Sequence, residues 1–419
     1  MHSVPWSSLS MVFQDAVRVC RRLGIRYLWI DSLCIIQDSK DDWELESSKM
    51  CDYYENSYIT ISAASSPNGT VPFLAGRDRR WRPQRFELVC RNGEVASIFG
   101  RRHPGSSTVQ LIEDSGPLAS RAWVWQETTL STRVLHYTES ELIWECKSHI
   151  CSEDGTTPRG LYSMRLTRQM LHCVESPYNV WHNLVETYSI RELSFETDRL
   201  PALSGTANRV NSITQSKYLA GIWKEALPLD LCWSMDSTAS LSSEVKIPSS
   251  QYIAPSWAWP SVKGPIVFVD DSGFIPLATV KEADCTVPGL NPYGQVSDGF
   301  ITLHGLLAYI RITCTDPQSC WAYTIGDDPE TREPMTADCA LVEAYGTAKR
   351  ASETDELEAF SLLAPCILIG KDETEEDAFF HVLVLGKQGS GDQYIRVGYA
   401  PLNSDEWFED AIEETIRIL

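Results

Sequence analysis

The stretch LGIRYLWIDSLCIIQDSKDDWELESSKMCDYYENSYITISAA, residues 23–64, decides the fold of the N-terminal part of the chain. Residues 26–30 and 58–64 are rich in aromatic and β-branched side chains, which predicts two buried strands. Residues 41–56 between them predict a helix, with Trp43 among the apolar side chains of one face. Strands that alternate with helices indicate right-handed crossovers and a parallel sheet, so the sequence predicts an α/β fold.

A further helix is predicted ahead of this stretch, over residues 9–23, where apolar side chains recur at helical spacing. Ser7 or Ser8 can cap its start, and Gly24 stands where a helix commonly ends. Ligands of parallel sheets bind beyond the carboxyl ends of the strands. Asp31 follows the first predicted strand and Ser65 follows the second, so we expect the ligand at this edge.

The rest of the chain divides into a helical middle and a β-rich end. Two more strands are predicted in the N-terminal part, at residues 134–137 and 141–146, and residues 160–245 are mainly helical in pattern. The C-terminal part has strand patterns at residues 266–269, 301–313, 340–344, 360–369, 379–385 and 394–399. Residues 405–418 predict a closing amphipathic helix capped by Ser404. The expected domains are residues 1–150, 151–250 and 251–419.

The composition excludes some classes of partner. The 419 residues carry a formal net charge of −21, which disfavours non-specific binding to nucleic acid. No run of about 20 apolar residues predicts a membrane span, and no signal peptide is visible, so we expect a cytoplasmic protein. The 13 cysteines are scattered and predict reduced thiols rather than disulfides. Residues 77–102 are locally basic, which predicts a solvated loop or a contact with phosphate or carboxylate.

Familiar catalytic and metal-binding motifs are missing from the sequence. It contains no glycine-rich dinucleotide motif, P-loop, nucleophile elbow or HExxH zinc motif. Cys146, His149 and Cys151 come nearest to a metal cluster, but their spacing is irregular for a zinc site. We therefore expect neither a metal nor a required cofactor.

Two blocks carry a family resemblance. Residues 23–64 strongly resemble the heterokaryon-incompatibility (HET) domain of filamentous fungi, and SRAWVWQETTLSTRVLHYTESELIWEC, residues 120–146, resembles the second signature of that domain. The glycine that usually follows the arginine of this signature is Ala122 here. Weaker resemblance to the region that accompanies the domain extends through residues 198–207, 218–223, 254–266 and 394–400.

The resemblance implies a fold and an activity. HET proteins are associated with non-self recognition and programmed cell death, and their domain is similar to TIR domains, which have a flavodoxin-like parallel sheet. Because some TIR domains cleave NAD+ with a glutamate on a helix, NAD+ becomes a possible substrate. Glu46 fits that catalytic role, as a carboxylate that stabilises an oxocarbenium-like centre. Asp31 could orient a ribose. Alternatively, Glu46 is a surface carboxylate of its helix and Asp31 caps a turn.

The same signatures supply candidate ligand-binding residues. These are Trp29, Cys34, Gln37, Ser65, Arg121, Trp123, Gln126 and Glu127. Structural alternatives stay open for them: Arg121 and Glu127 could form either a ligand clamp or a buried ion pair, and the tryptophans could be core residues. Gln126 could bind a ligand amide or backbone groups.

The start of the chain departs from the family pattern. A HET domain normally opens with a strand and a glycine-containing loop, whereas this sequence begins almost at the first predicted helix. The resemblance therefore predicts an N-terminally shortened domain whose sheet is incomplete at that end. In a TIR-like sheet the missing loop lines the nucleotide site.

Three functions remain open on sequence alone. The first is HET-type non-self recognition and cell death, through NAD+ cleavage or through self-association. The second is a repurposed enzyme of fungal secondary metabolism, a cyclase or pericyclase, with an apolar small molecule in a closed aromatic cavity above about 300 Å³. The third is a non-catalytic interaction module.

Overall fold

The computed structural model describes most of the chain. The described residues are 4–102, 116–153, 155, 176–236, 251–316, 322–326, 331–339, 341, 360–373, 378–387 and 393–419. The predicted strand at 340–344 lies almost wholly outside them, as do parts of the helical segment, residues 160–175 and 237–245. The chain forms two compact units, Met1–Cys173 and Val174–Leu419.

Four helices form among the described residues of the N-terminal unit. They are α1 (Met11–Leu23), α2 (Asp31–Cys34), α3 (Lys40–Asn56) and α4 (Ala122–Leu130), with 3-10 turns at Trp6–Ser8 and Arg79–Trp81. Two of the four, α1 and α3, confirm the helices predicted at residues 9–23 and 41–56. Gly24 ends α1 in the left-handed region, at φ +71°, as predicted. The expected cap at Ser7 or Ser8 is wrong, because the hydroxyl of Ser10 accepts the hydrogen bond from the Phe13 N–H.

The sheet of this unit is mixed rather than parallel throughout. Its strands, in the order β1, β4, β5, β6 across the sheet, are β1 (Thr60–Ser62), β4 (Arg133–Tyr137), β5 (Leu142–Cys146) and β6 (Ile150–Ser152). β1 and β4 are parallel, with Ile61 opposite Leu135. The other pairs are antiparallel, because four residues between β4 and β5 are too few for a crossover connection.

The predicted strand at residues 26–30 is wrong. This segment is extended but pairs with no strand among the described residues, and α2 begins immediately after it. Its apolar side chains do not alternate between two buried faces, and Tyr27 is 80% exposed. The aromatic and β-branched composition of the segment indicated burial, but a strand also needs a neighbour that completes its hydrogen bonds.

The basic segment forms an exposed hairpin instead of a loop. Its strands are β2 (Gln84–Val89) and β3 (Val95–Gly100), which pair antiparallel. Four arginines of residues 77–102 bind carboxylates of the same unit, in the pairs Arg77–Glu153, Arg80–Glu139, Arg85–Glu87 and Arg101–Glu141. The expected carboxylate contact therefore exists, within the chain itself.

The C-terminal unit begins with helices and short strands. They comprise α5 (Pro177–Ser189), α6 (Ser204–Thr214), β7 (Tyr218–Leu219), β8 (Ile222–Trp223), β9 (Ser234–Met235) and β10 (Ile266–Val267), with 3-10 turns at Glu196–Asp198, Pro201–Leu203, Lys224–Ala226, Leu229–Leu231 and Trp259–Ser261. Five tryptophans are almost completely buried here, at positions 181, 223, 233, 257 and 259. The indole N–H groups of Trp181 and Trp259 both donate to the carbonyl of Gly221, each over 2.9 Å. Five of the 14 tryptophans of the chain therefore belong to the core of this unit.

A large antiparallel sheet dominates the rest of this unit, and the predicted β-rich C-terminal part is confirmed. Its strands are β11 (Phe274–Pro276), β12 (Thr279–Thr286), β13 (Asp298–Cys314), β14 (Tyr323–Ile325), β15 (Glu333–Ala337), β16 (Phe360–Glu373), β17 (Ala378–Lys387), β18 (Gln393–Leu402) and β19 (Ile412–Ile418). The 17-residue β13 pairs with β14 and β16, and the sheet thereby closes on itself through β15, β18 and β17. The closed sheet surrounds a core of aliphatic side chains.

The predicted closing helix at residues 405–418 is wrong. Residues 406–408 form a 3-10 turn, and Ile412–Ile418 is the strand β19, which pairs antiparallel with β13 and parallel with β18. Ile416 and Ile418 are buried while Arg417 between them is exposed, which is the period of a strand. The spacing of Phe408, Ile412 and Ile416 also fits a helix, so only the long-range pairing decides between the two.

Candidate functional site

A cavity of about 650 Å³ lies in the N-terminal unit, bounded by α1, the segment 25–31, α3, β1 and α4. Nine aromatic side chains line it, namely Phe13, Tyr27, Trp29, Trp43, Tyr53, Tyr54, Tyr58, Phe73 and Trp123. Three lining side chains are charged, and these are Asp31, Arg121 and Glu127. Six of the ten predicted site residues therefore meet at one cavity: Trp29, Asp31, Gln37, Arg121, Trp123 and Glu127.

Helix α4 places its site residues by helical spacing. Trp123 and Glu127 are four residues apart and lie on the same face, which lines the cavity together with Val124 and Thr128. Gln126 belongs to another face, is only 2% exposed and does not line the cavity. Within this one turn of the helix, Glu127 therefore lines the cavity, whereas the neighbouring Gln126 is buried away from it.

Helix α3 supplies the opposite aromatic wall. Ser39 caps it by accepting a hydrogen bond from the Asp42 N–H over 3.2 Å. Trp43, Tyr53 and Tyr54 line the cavity from this helix. The rings of Trp43 and Trp123 meet edge to face with their centroids 6.5 Å apart, so aromatic packing joins α3 to α4 at the cavity.

The segment before α2 holds Trp29 and Asp31 at the cavity. The Trp29 ring lies 5.2 Å from the ring of Tyr53 and 5.7 Å from that of Tyr54. Asp31 is the first residue of α2, and its Oδ1 atom accepts a hydrogen bond from the Ser32 N–H over 2.7 Å. The side-chain amide of Gln37 donates to the carbonyl of Ile35 over 2.9 Å. These local bonds fix the backbone at the rim while the Asp31 carboxylate keeps capacity for a ligand.

Glu127 is the carboxyl group with the most altered acidity at the cavity. The pKa of Glu127 is raised to about 7, mainly by burial and also by the negative charge of Asp31, while hydrogen bonding from Tyr54 and the positive charge of Arg121 act in the opposite direction. The salt bridges of the described residues do not include a pair between Arg121 and Glu127, so the predicted alternative of a buried ion pair is not formed. Glu127 is therefore poised between its protonated and ionised forms near neutral pH.

Glu46 lies beside the cavity rather than in its wall. Its Oε2 atom accepts a hydrogen bond from the hydroxyl of Tyr53 over 2.7 Å, and its Oε1 atom accepts one from Nζ of Lys49 over 3.1 Å. These bonds from Tyr53 and Lys49 lower the pKa of Glu46. Tyr53 does line the cavity, so the predicted catalytic carboxylate is one hydrogen bond away from it.

Two other predicted residues do not line the cavity. Cys34 is exposed at the end of α2, and Ser65 lies in the turn after β1, where its N–H donates to the carbonyl of Tyr137 over 2.7 Å. The sequence interpretation missed Tyr53 and Tyr54 as site residues. Their position three and four residues after Met50, itself a lining residue, is the signal that could have indicated them.

The comparisons with known proteins assign a family to this unit. Residues 2–127 match the family described as Heterokaryon incompatibility protein (HET), a range that includes α1 to α3 and the Trp123–Glu127 turn. Residues 2–127 are therefore a HET domain. Neither a curated protein nor a solved structure significantly matches the chain.

Among the residues that the structure describes, no group of three histidine, cysteine or acidic side chains is arranged to hold a metal ion. No helix within the described ranges has the length and apolar content needed to cross a lipid bilayer.

Proposed function

We propose that this HET domain binds NAD+ in the α3–α4 cavity and hydrolyses it, as the effector step of fungal non-self recognition and programmed cell death. The observation that carries the proposal is the meeting of Asp31, Trp29 and Trp123 from both family signatures at one cavity. Its volume of about 650 Å³ falls within the range of pockets that hold cofactor-sized ligands. The aromatic walls offer stacking surfaces for the nicotinamide or adenine ring.

The proposed reaction joins NAD+ and water to give nicotinamide, ADP-ribose and a proton. Loss of nicotinamide leaves a ribosyl group with oxocarbenium character, which a nearby carboxylate stabilises. Asp31 is the predicted carboxylate on the cavity wall and could contact the ribose directly. Glu46 would act through Tyr53, by fixing the phenol that faces the ligand.

The test is whether the purified full chain releases nicotinamide from NAD+ over several hours, with the released nicotinamide measured by chromatography. We expect turnover by the wild-type protein and its loss in Asp31→Asn and Glu46→Ala. Glu44→Ala, a half-buried carboxylate of α3 that pairs with Lys40 outside the cavity wall, is the matched control and should keep the activity. NAD+ that stays intact with the folded wild-type protein would refute the proposal.

A second candidate is a cyclase or pericyclase acting on an apolar small molecule. The observation in its favour is that most residues lining the cavity are aromatic or aliphatic, which suits a substrate held by shape and desolvation. Saturable binding of a terpene or polyketide by a protein that leaves NAD+ intact would support it. Concentration-dependent assembly without turnover or ligand binding would instead support an interaction module.

A further inference from the structure

We propose that the cavity selects a planar aromatic cation, and that binding of this cation expels a proton from Glu127. The inference rests on the proposed function only in taking the same cavity as the ligand site. To the proposed function it adds a requirement for positive charge on the aromatic ring of the ligand and a coupling between ligand and proton.

The charges at the cavity favour a cation. Its wall carries two carboxyl groups, Asp31 and Glu127, and one guanidinium, Arg121. When both carboxyl groups are ionised, the charged lining has a net charge of −1. A single positive charge on the part of the ligand beside these groups neutralises that excess, whereas a negative charge at that place would add to it.

The aromatic side chains on the cavity wall favour a planar aromatic cation over a hydrated ammonium ion. Trp29, Tyr53 and Tyr54 form one cluster of contacting rings on the wall, and Trp43 with Trp123 forms another. Ring faces attract cations, and this attraction grows when water is excluded. A positively charged aromatic ring can stack on such a wall and present its charge to a carboxylate at once.

The proton coupling follows from what surrounds Glu127. Tyr54 reaches it from α3, Asp31 from the start of α2, and Arg121 from its own helix, α4. Burial is the largest influence and keeps a proton on the Glu127 carboxyl group up to a pH of about 7. A cation placed beside this group favours its ionised form and lowers its pKa. Ligand binding below pH 7 must therefore release a proton, and the affinity must rise as the pH rises.

The experiment measures binding of 1-methylnicotinamide, a small aromatic cation without a glycosidic bond, by isothermal titration calorimetry. With a pKa of about 7, the ionised fraction of Glu127 grows roughly tenfold between pH 6 and pH 8. We expect the dissociation constant to fall about tenfold over that range. At pH 6, titrations in two buffers of different ionisation enthalpy should reveal nearly one proton released per ligand bound. Nicotinamide, which is neutral, should show no such pH dependence.

Two variants separate the role of Glu127 from general disruption. Glu127→Gln should abolish the pH dependence and the proton release, while Glu44→Gln on α3 should keep both. Tyr54→Phe removes the phenol that lowers the pKa of Glu127, so the rise in affinity should move to higher pH. This second variant tests the coupling even if Glu127→Gln does not fold.

The outcomes distinguish this inference from the proposed function. Equal affinity for 1-methylnicotinamide at pH 6 and pH 8, absence of binding, or a pH dependence that survives in folded Glu127→Gln would overturn the inference, even in a protein that cleaves NAD+. Proton-coupled binding by a protein that leaves NAD+ intact would support the inference while refuting NAD+ hydrolysis.

Discussion

The hydroxyl of Tyr53 donates a hydrogen bond of 2.7 Å to the Oε2 atom of Glu46, seven residues earlier in helix α3. Two helical turns separate the residues, so they lie on the same side of the helix. Glu46 itself is outside the cavity wall, whereas Tyr53 is part of it. The bond therefore links the carboxylate that the family resemblance indicates to the cavity that the structure contains.

Tyr53→Phe should remove this link and raise the pKa of Glu46 toward its ordinary value. We expect the N-terminal unit to lose about 1 kcal/mol of unfolding free energy at pH 7. Because the folded-state pKa of Glu46 is lowered, its ionised form contributes stability above its unfolded pKa, and this contribution disappears as the pH falls through the folded value. The difference between variant and wild type should shrink accordingly in acid.

Hydrogen exchange of peptides from α3, detected by mass spectrometry, would measure the change in unfolding free energy of the N-terminal unit by itself. Tyr27→Phe is the matched control, because the side chain of Tyr27 is 80% exposed and its hydroxyl should contribute little. Equal losses in the two variants would show that the Tyr53–Glu46 bond does not stabilise the helix.

The sequence predicted those elements whose signal is local. The spacing of apolar residues and Gly24 located α1, and the spacing in 41–56 located α3. Helix α4, which brings Trp123 and Glu127 onto one face, was not predicted from the sequence. Strands were predicted at 134–137 and 141–146, but their pairing depends on distant partners and did not follow from the pattern. The segment 26–30 is apolar enough for a strand but lies beside no other strand among the described residues.

The site was predictable in its membership more than in its geometry. Trp29, Asp31 and Trp123 stand in the family signatures, and the structure brings them to one cavity. The sequence could not show that Glu46 turns toward Lys49 and Tyr53, because its angular position on α3 also allows a cavity-facing side chain. Nor could it reveal the altered acidity of Glu127, which arises from burial by α3 and α4 together.

Arg101 should contribute more to stability than Arg80, although both bind a glutamate of the same unit. Arg101 contacts Glu141 over 2.6 Å, where the glutamate side chain is 5% exposed, whereas Arg80 and Glu139 are about half exposed. Arg101→Met leaves a buried carboxylate without this cation and should cost about 3 kcal/mol. Arg80→Met should cost less than about 1 kcal/mol. Hydrogen exchange in β5 and β6 measures both, and a larger loss for Arg80→Met would contradict the assignment of Glu141 as a buried anchor.

Arg396 should be essential for the folding of the C-terminal unit. Its Nε atom donates to Asp338 over 2.8 Å, and its terminal nitrogens donate to the carbonyls of Leu231 and Trp233. The Arg396 and Asp338 side chains are 0% and 4% exposed. Arg396→Ala leaves a buried carboxylate and two carbonyls without their donor, so we expect a loss of more than about 3 kcal/mol.

Arg396→Lys should rescue little of this loss, because an ammonium group cannot reproduce the planar fork of donors. Arg417→Ala is the control, since Arg417 is exposed on β19 and stacks only on Phe300. Tryptophan fluorescence follows the thermal unfolding of the full chain; the five buried tryptophans of this unit contribute to the signal, as do tryptophans of the N-terminal unit. A melting temperature unchanged in Arg396→Ala would show that the buried pair does not hold the sheet to its neighbouring segments.

The stability of the N-terminal unit should fall as the pH rises from about 5 to 8. The pKa of Glu127 is raised by burial to about 7, well above the value of about 4.3 for an unfolded chain. Between these values the folded state holds a proton that the unfolded state has released, so raising the pH favours unfolding. The shift corresponds to at most about 4 kcal/mol, and solvent at the partly open cavity should reduce it. Glu127→Gln keeps the shape of the side chain without the charge, so it should flatten this pH dependence and stabilise the unit at pH 8.

Hydrogen exchange of α4 peptides in wild type, Glu127→Gln and the control Glu44→Gln measures the effect. A wild-type profile that is flat between pH 5 and 8, or a slope that persists in Glu127→Gln, would show that Glu127 is not the group responsible.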